Sequence, residues 1–264
     1  MNQERYAAGR FVEARRAATG FPDYPGALPE GLDAAYRVQQ AAIVEWGDDI
    51  AGWKVGRIQP QLVEQLGAER FVGPIFAETV VPAQSDNPFP AFRHGTAVFE
   101  AELVVTAAAD APAGKVDWSV EEAIALIGAI NIGIEVAGSP LATINQLSSL
   151  VSIAAFGNNN GLILGPEVAD WRERRWDNVT CTTTIDGEIV REAAATAVPG
   201  GPLEVFAFAL GQTARLGWPI RCGQRVSTGA ITGMHAVTIG QRCTAAFAGI
   251  GTLDCRIVPA IPKA

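Results

Sequence analysis

The chain has 264 residues, with 20 Lys and Arg against 28 Asp and Glu for a formal net charge of -8, and its basic residues form no cluster able to neutralise a phosphate backbone. Nucleic acid is thereby excluded as the expected partner, and no apolar run approaches the roughly 18 residues that cross a bilayer. The expectation is a soluble cytoplasmic protein with one main core.

Helix-period apolar spacing covers residues 3–19 and 30–46, the second as Leu32, Ala35, Tyr36, Gln39, Ile43 and Trp46, with the turn-rich "GFPDYPGALPEG" between them. From residue 50 the pattern changes to short β-type runs at 50–58, 96–106, 128–137, 160–165, 178–185, 188–192, 225–230 and 241–258. A helix is expected from Ser119, whose following residues are acidic, and another from Ser139-Pro140 through "LATINQLSSLVSIAAFG". A third spans Leu203 to Leu216 and stops at Gly217 and Pro219. Asp186-Gly187 marks a hairpin. The division predicted is an N-terminal helical segment, 1–49, packed on a β-rich catalytic domain, 50–264. Cys181, Cys222, Cys243 and Cys255 are irregularly spaced with no C-x-x-C pair, and read as buried free thiols.

Strand alternation places Val98, Glu100, Glu102 and Val104 on one face of "VFEAELVV", and Phe99, Ala101, Leu103 and Val105 on the other, which is core. Taken alone, the Glu face reads as solvated. A third carboxylate changes the balance: in "GAINIGIEVAGSP", Glu135 stands on a face of small or polar residues beside Gly133. Three strand-borne carboxylates suit a hard divalent cation such as Mg²⁺ or Mn²⁺. In "AGWKVGR", Gly52, Lys54 and Gly56 share a face, so Lys54 is either a surface lysine between bulge glycines or a proton-transferring group open to a ligand. There is no G-x-G-x-x-G, no phosphate loop and no G-x-S-x-G elbow, and the two histidines, His94 and His235, leave little for a Ser-His-Asp site.

In order, "GWKVG", "FVGPIF", "FEAELVV", "IEVAGSP", "GLILG" and "STGAITG" resemble the 2-oxopent-4-enoate hydratase and 4-oxalocrotonate decarboxylase branch of the fumarylacetoacetate hydrolase superfamily, over roughly residues 30 to 258. The resemblance implies an α+β fold, the mixed β-roll of that superfamily with outer helices. It implies Mg²⁺ or Mn²⁺ held by Glu100, Glu102 and Glu135, with Lys54 and Glu78 as catalytic groups. Substrate contacts fall to Gly56, Asn158, Asn159, Thr228 and Gly229. Glu78 stands where relatives commonly carry Asp, and Asn158 and Asn159 replace an Asp-Asn and hydroxyl pattern. The implied activity is hydration of a 2-hydroxy-2,4-dienoate by a homo-oligomer. A metal-dependent decarboxylase, a C–C hydrolase, a 2-oxo-3-deoxy sugar acid dehydratase or an inactive partner subunit are the alternatives.

Overall fold

The computed structural model describes residues 3–263. In chain order its elements are α1 (Gln3–Arg16), α2 (Leu32–Trp46), β1 (Ile50–Arg57), α3 (Pro60–Leu66), β2 (Arg70–Phe76), β3 (Val80–Pro82), β4 (Asn87–Ala91), β5 (Thr96–Ala107), α4 (Val120–Ile124) and β6 (Ile127–Ser139). There follow α5 (Ser149–Ala154), β7 (Asn159–Glu167), β8 (Thr180–Ile185), β9 (Glu188–Ala194), α6 (Gly201–Arg215), β10 (Arg225–Ser227), β11 (His235–Ala236), β12 (Arg242–Phe247) and β13 (Gly251–Pro259). They build two mixed sheets, one ordered β2-β1-β10-β5-β6-β7-β3 with β11 added to β5, the other β4-β13-β12-β8-β9. The expected α+β roll with outer helices is what forms. No helix among the described residues is long and apolar enough to cross a membrane.

Local chemistry explains most boundaries. Ser119 caps α4 in a reciprocal box with Glu122, satisfying two helix-end donors. Asp186 and Gly187 both take positive φ, as the two-residue turn between β8 and β9 requires. Four strands escape the sequence pattern: β3 and β11 are only three and two residues long, and β2 and β4 carry proline, Pro74 in β2 and Pro88 and Pro90 in β4. β2 and β4 both lie at sheet edges, where a missing N–H breaks no ladder on the open side.

The helix expected from Ser139 does not form. β6 runs through Ser139, whose hydroxyl accepts from the Leu141 N–H at 3.1 Å and turns the chain. The helical start moves to Ser149, where Gln59 intervenes: its Oε1 accepts from the Ser149 N–H at 3.2 Å, and its own N–H donates to Ser149 Oγ at 2.9 Å. The 241–258 run is likewise a hairpin, β12 and β13, rather than one strand. Cys222 corrects the expectation for the thiols: it is exposed, at a turn held by the Asp110 carboxylate, whereas Cys181, Cys243 and Cys255 are buried as expected.

One continuous apolar cluster joins Ala8, Val12, Tyr36 and Ile43 of the helical segment to Trp53, Phe99, Ile134 and Leu253 of the sheets. Polar side chains pin the same contact. Gln39 of α2 donates to the carbonyls of Val72 in β2 and Ile153 in α5, at 3.1 and 2.8 Å. Arg15 of α1 is buried over the rings of Phe156 and Phe92, and donates to Asn160 Oδ1 and the Gly138 carbonyl. Burial lowers its pKa to about 9, so it stays charged at neutral pH. The helices therefore hold the segment Phe156–Asn158 that precedes β7.

That segment packs directly on β2. A Cβ added at Gly73 would lie 2.5 Å from the Phe156 carbonyl oxygen and 2.6 Å from the Gly157 Cα. Because these are backbone atoms, Gly73→Ala is expected to destabilise the fold by about 2 kcal/mol. Thermal unfolding checks this; an unchanged melting temperature would mean that the 156–158 turn yields freely.

Candidate metal centre

β5 and β6 are long antiparallel neighbours whose register sets Glu100 directly opposite Glu135 and Glu102 opposite Gly133. The intervening faces of both strands, Phe99, Ala101, Leu103 and Ile132, Ile134, Val136, are buried in the core. This alternation fixes the carboxylates on one side. Glycine at 133 is required by the packing there, since a Cβ would stand 2.7 Å from Val104 Cγ2. Ligand oxygens of Glu100, Glu102 and Glu135 all lie within 4.8 Å of one another, and the three residues are 5%, 0% and 0% exposed.

Lys54 joins them from β1: its Nζ is 3.0 Å from Glu135 Oε1, and the residue is buried. β10 runs between β1 and β5 and contributes Ser227, paired in register with both Lys54 and Val104. The Ser227 hydroxyl donates to Glu102 Oε2 at 2.5 Å, and the Gly229 N–H donates to the same oxygen at 2.8 Å. Asn159 Nδ2 donates to Glu135 Oε1 at 3.0 Å. Each of these two carboxylates thus has one oxygen fixed by donors, while Glu102 Oε1 and Glu135 Oε2 are buried with no hydrogen-bond partner.

Orphaned buried carboxylate oxygens are costly. Three carboxylates against one ammonium leave two uncompensated negative charges in a desolvated site. The carboxyls respond accordingly. Burial pushes Glu100 up to about 7, Lys54 pulls it down and the Glu135 charge adds to the rise. Glu102 lies well above the usual carboxylate range, through burial first and then through Glu135 and Glu100. For Lys54, burial opposes the charge, but the combined attraction of Glu135, Glu100 and Glu102 outweighs it and the pKa is raised. An all-oxygen set with two orphaned oxygens and a charge deficit of two fits a hard divalent cation.

A cavity of about 390 Å³ opens beside this cluster, lined by Lys54, Gly56, Glu100, Asn158, Thr228 and Gly229 among others. Of the site residues read from the sequence, those six therefore share one space. Asn158, at φ 63°, is buried with its Oδ1 unpartnered. Asn159 takes a different place: it holds Glu135 and closes a turn with Gly161 rather than lining the cavity. Gly229 and Thr228 have their donors committed, to Glu102 and to the Leu103 carbonyl. Glu78 is not brought to the cluster. β2 ends at Phe76, and the following 3₁₀ turn, Ala77–Thr79, carries Glu78 outward, where its side chain is 65% exposed and pairs with Lys263 at 2.6 Å. Ser227 was not singled out by sequence reasoning; the signal was its position beside Thr228 and Gly229 in "STGAITG".

The chain belongs to the fumarylacetoacetate hydrolase C-terminal family, which matches residues 52–258. It is 29% identical over 261 residues to a 2-keto-4-pentenoate hydratase from Paraburkholderia phymatum, spanning 96% of each chain. A second 2-keto-4-pentenoate hydratase, from Burkholderia vietnamiensis, is 27% identical over 254 residues, covering 93% of this chain and 94% of that one. Among solved structures, the 4-oxalocrotonate decarboxylase from Pseudomonas putida G7, complexed with magnesium and adipate, shares the fold with a TM-score of 0.80 at 23% identity, over 97% of both chains.

Proposed function

We propose that the chain is a divalent-metal-dependent hydratase that converts a 2-hydroxy-2,4-dienoate to a 4-hydroxy-2-oxo acid. The observation that carries this reading is the buried Glu100, Glu102 and Glu135 cluster with Lys54 against it, facing a cavity. Full-length similarity to two proteins named 2-keto-4-pentenoate hydratase supports the choice of reaction. A Mg²⁺ or Mn²⁺ ion held by the three carboxylates would supply Lewis-acid polarisation of the 2-oxo acid head group.

The remaining chemistry falls to the side chains. Tautomerisation moves a proton from the 2-hydroxyl to C5 of the dienol, giving a conjugated ketone; water then adds with its hydroxyl on C4 and a proton on C3. Lys54 keeps its proton at Nζ and faces the cavity beside Gly56, so it is the group that carries the proton to and from the substrate chain. Asn158 Oδ1, buried and unpartnered, accepts a hydrogen bond from the attacking water or the new hydroxyl. Phe71, Ile144 and Leu147 give the cavity an apolar wall against the hydrocarbon part.

The test is the ultraviolet absorbance of 2-hydroxypenta-2,4-dienoate. With Mg²⁺ or Mn²⁺ the dienol band should decay to 4-hydroxy-2-oxopentanoate, and chelation should stop the decay. Carbon dioxide release from 4-oxalocrotonate, with no hydration of 2-hydroxypenta-2,4-dienoate, would replace the hydratase reading by a decarboxylase.

A further inference from the structure

Arg15 of α1 is a buried guanidinium with no carboxylate to balance it among the described residues. A buried cation without a counter-ion is costly, so its surroundings have to hold it. Its contacts centre on one short stretch of chain. The guanidinium stacks over the Phe156 ring, 4.9 Å from the centroid, and over Phe92 at 5.4 Å. Nη1 donates to Asn160 Oδ1 at 3.2 Å, and Nη2 donates to the carbonyls of Gly138 and Ala155 at 3.3 and 3.5 Å. Arg15 therefore grips Phe156 itself and a polar group on either side of it, at Ala155 and Asn160.

The backbone it grips is strained. Phe156, Gly157 and Asn158 take φ of 60°, 66° and 63°, three left-handed residues in succession. L-residues adopt this conformation singly, usually as glycine or asparagine, and a bulky residue is an outlier in it. Gly157 and Asn158 suit the turn, and Phe156 does not. Such strain persists only where the surroundings over-determine the backbone. The Asn158 N–H closes the turn on the Ala155 carbonyl at 3.1 Å, the same oxygen that Arg15 holds. Phe76 and Trp46 meet the Phe156 ring edge-on, while Arg15 covers its face. What the turn delivers is Asn158, whose Oδ1 is buried without a partner in a residue that lines the cavity.

We propose that Arg15 is a positioning residue for water addition: it holds the left-handed turn 156–158 in place and so keeps Asn158 Oδ1 where the attacking water is received. Arg15 does not itself line the cavity, and it acts through the turn alone. The inference rests on the hydratase reading, in which Asn158 meets the water, and it gives the N-terminal helical segment a part in that step.

Steady-state hydration of 2-hydroxypenta-2,4-dienoate by the Mg²⁺-loaded full chain, run as a double-mutant cycle of Arg15 and Asn158, tests it. Asn158→Ala should lower kcat by about tenfold, the worth of one hydrogen bond to the reacting water. Arg15→Met should lower kcat by about five- to tenfold, no more than loss of the amide it positions, with KM within about threefold because the bound dienoate keeps its contacts. In the Asn158→Ala background the same substitution should cost less than about twofold, and Mg²⁺ affinity by calorimetry should stay within about twofold of the parent throughout. Arg15→Lys keeps the charge and stem but cannot stack as a flat fork, so it should lose at least about threefold in kcat, again only when Asn158 is present. That variant carries the test where Arg15→Met does not fold. Full turnover in either Arg15 variant, or an equal loss in both backgrounds, would overturn the proposal. Mg²⁺ binding that weakens in step with kcat would also overturn it, making Arg15 a support of the whole centre. A parent that binds Mg²⁺ but hydrates no dienoate would overturn the hydratase reading and this inference with it, whereas an active parent with unaffected Arg15 variants would overturn the inference alone.

Discussion

Lys54→Met is expected to reduce turnover of a dienoate substrate by about 10²- to 10⁴-fold, the range a positioned proton-transfer group contributes. Methionine keeps most of the buried stem's volume, so the loss reports the ammonium rather than a collapsed cavity. Metal affinity should respond quite differently. Removing the ammonium deepens the negative potential of Glu100, Glu102 and Glu135, which favours a cation. It also removes the charge that lowers the proton affinity of Glu100 and Glu102, which favours protons over metal at neutral pH. Proton competition weakens as pH rises, so Mg²⁺ or Mn²⁺ binding by calorimetry should gain on that of the parent with increasing pH. Turnover within about tenfold of the parent would remove Lys54 from proton transfer. Joint loss of turnover and metal would instead make it a structural prop of the cluster.

How far the sequence reveals this site depends on whether the relevant physics is local. β5 is legible almost to the residue, because a period of two with a sealed apolar face has one solution. The capped start of α4 and the Asp186-Gly187 turn are legible for the same reason: hydrogen bonds within a few residues decide them. Elsewhere the deciding partner is distant. Gln59 relocates the start of a helix some ninety positions along the chain, and nothing near Ser139 announces it. That Glu100 faces Glu135 is a matter of register between strands, which alternation restricts but does not select. Ser227 and Asn159 orient the carboxylates through contacts between neighbouring strands, β10 to β5 and β7 to β6, and Arg57 and Arg70 face each other only once β1 and β2 are aligned. Glu78 shows the converse. Motif position made it a catalytic candidate, yet the 3₁₀ turn after β2 directs it to Lys263 and solvent.

Glu102→Gln gives the second large effect, and its sign differs between the metal-loaded and metal-free protein. Gln can still accept from Ser227 Oγ and the Gly229 N–H, so the local hydrogen bonds survive. One anionic ligand of the three is lost, however, and affinity for Mg²⁺ or Mn²⁺ should fall by at least about a hundredfold, exceeding what loss of an outer-shell partner typically costs. Without metal the wild-type cluster works against folding as pH rises. Glu100 moves from an ordinary 4.5 to about 7, and Glu102 is likewise raised well above its ordinary value, so the folded chain holds more protons than the unfolded chain above pH 4.5. Stability contributed by the protonated forms is complete below that value and is lost as pH climbs through about 7 and beyond. Glu102→Gln removes one of the two titrating groups. Chelator-treated mutant should therefore lose less stability than chelator-treated wild type between pH 5 and 8, read as melting temperature. Added Mg²⁺ should raise the wild-type melting temperature more at pH 8 than at pH 6, because fewer protons must be displaced from the ligands, and should leave the mutant nearly unmoved. Equal stabilisation of both proteins by metal would mean that the ion binds elsewhere. A wild-type response independent of pH would mean that Glu100 and Glu102 are already ionised in the metal-free fold.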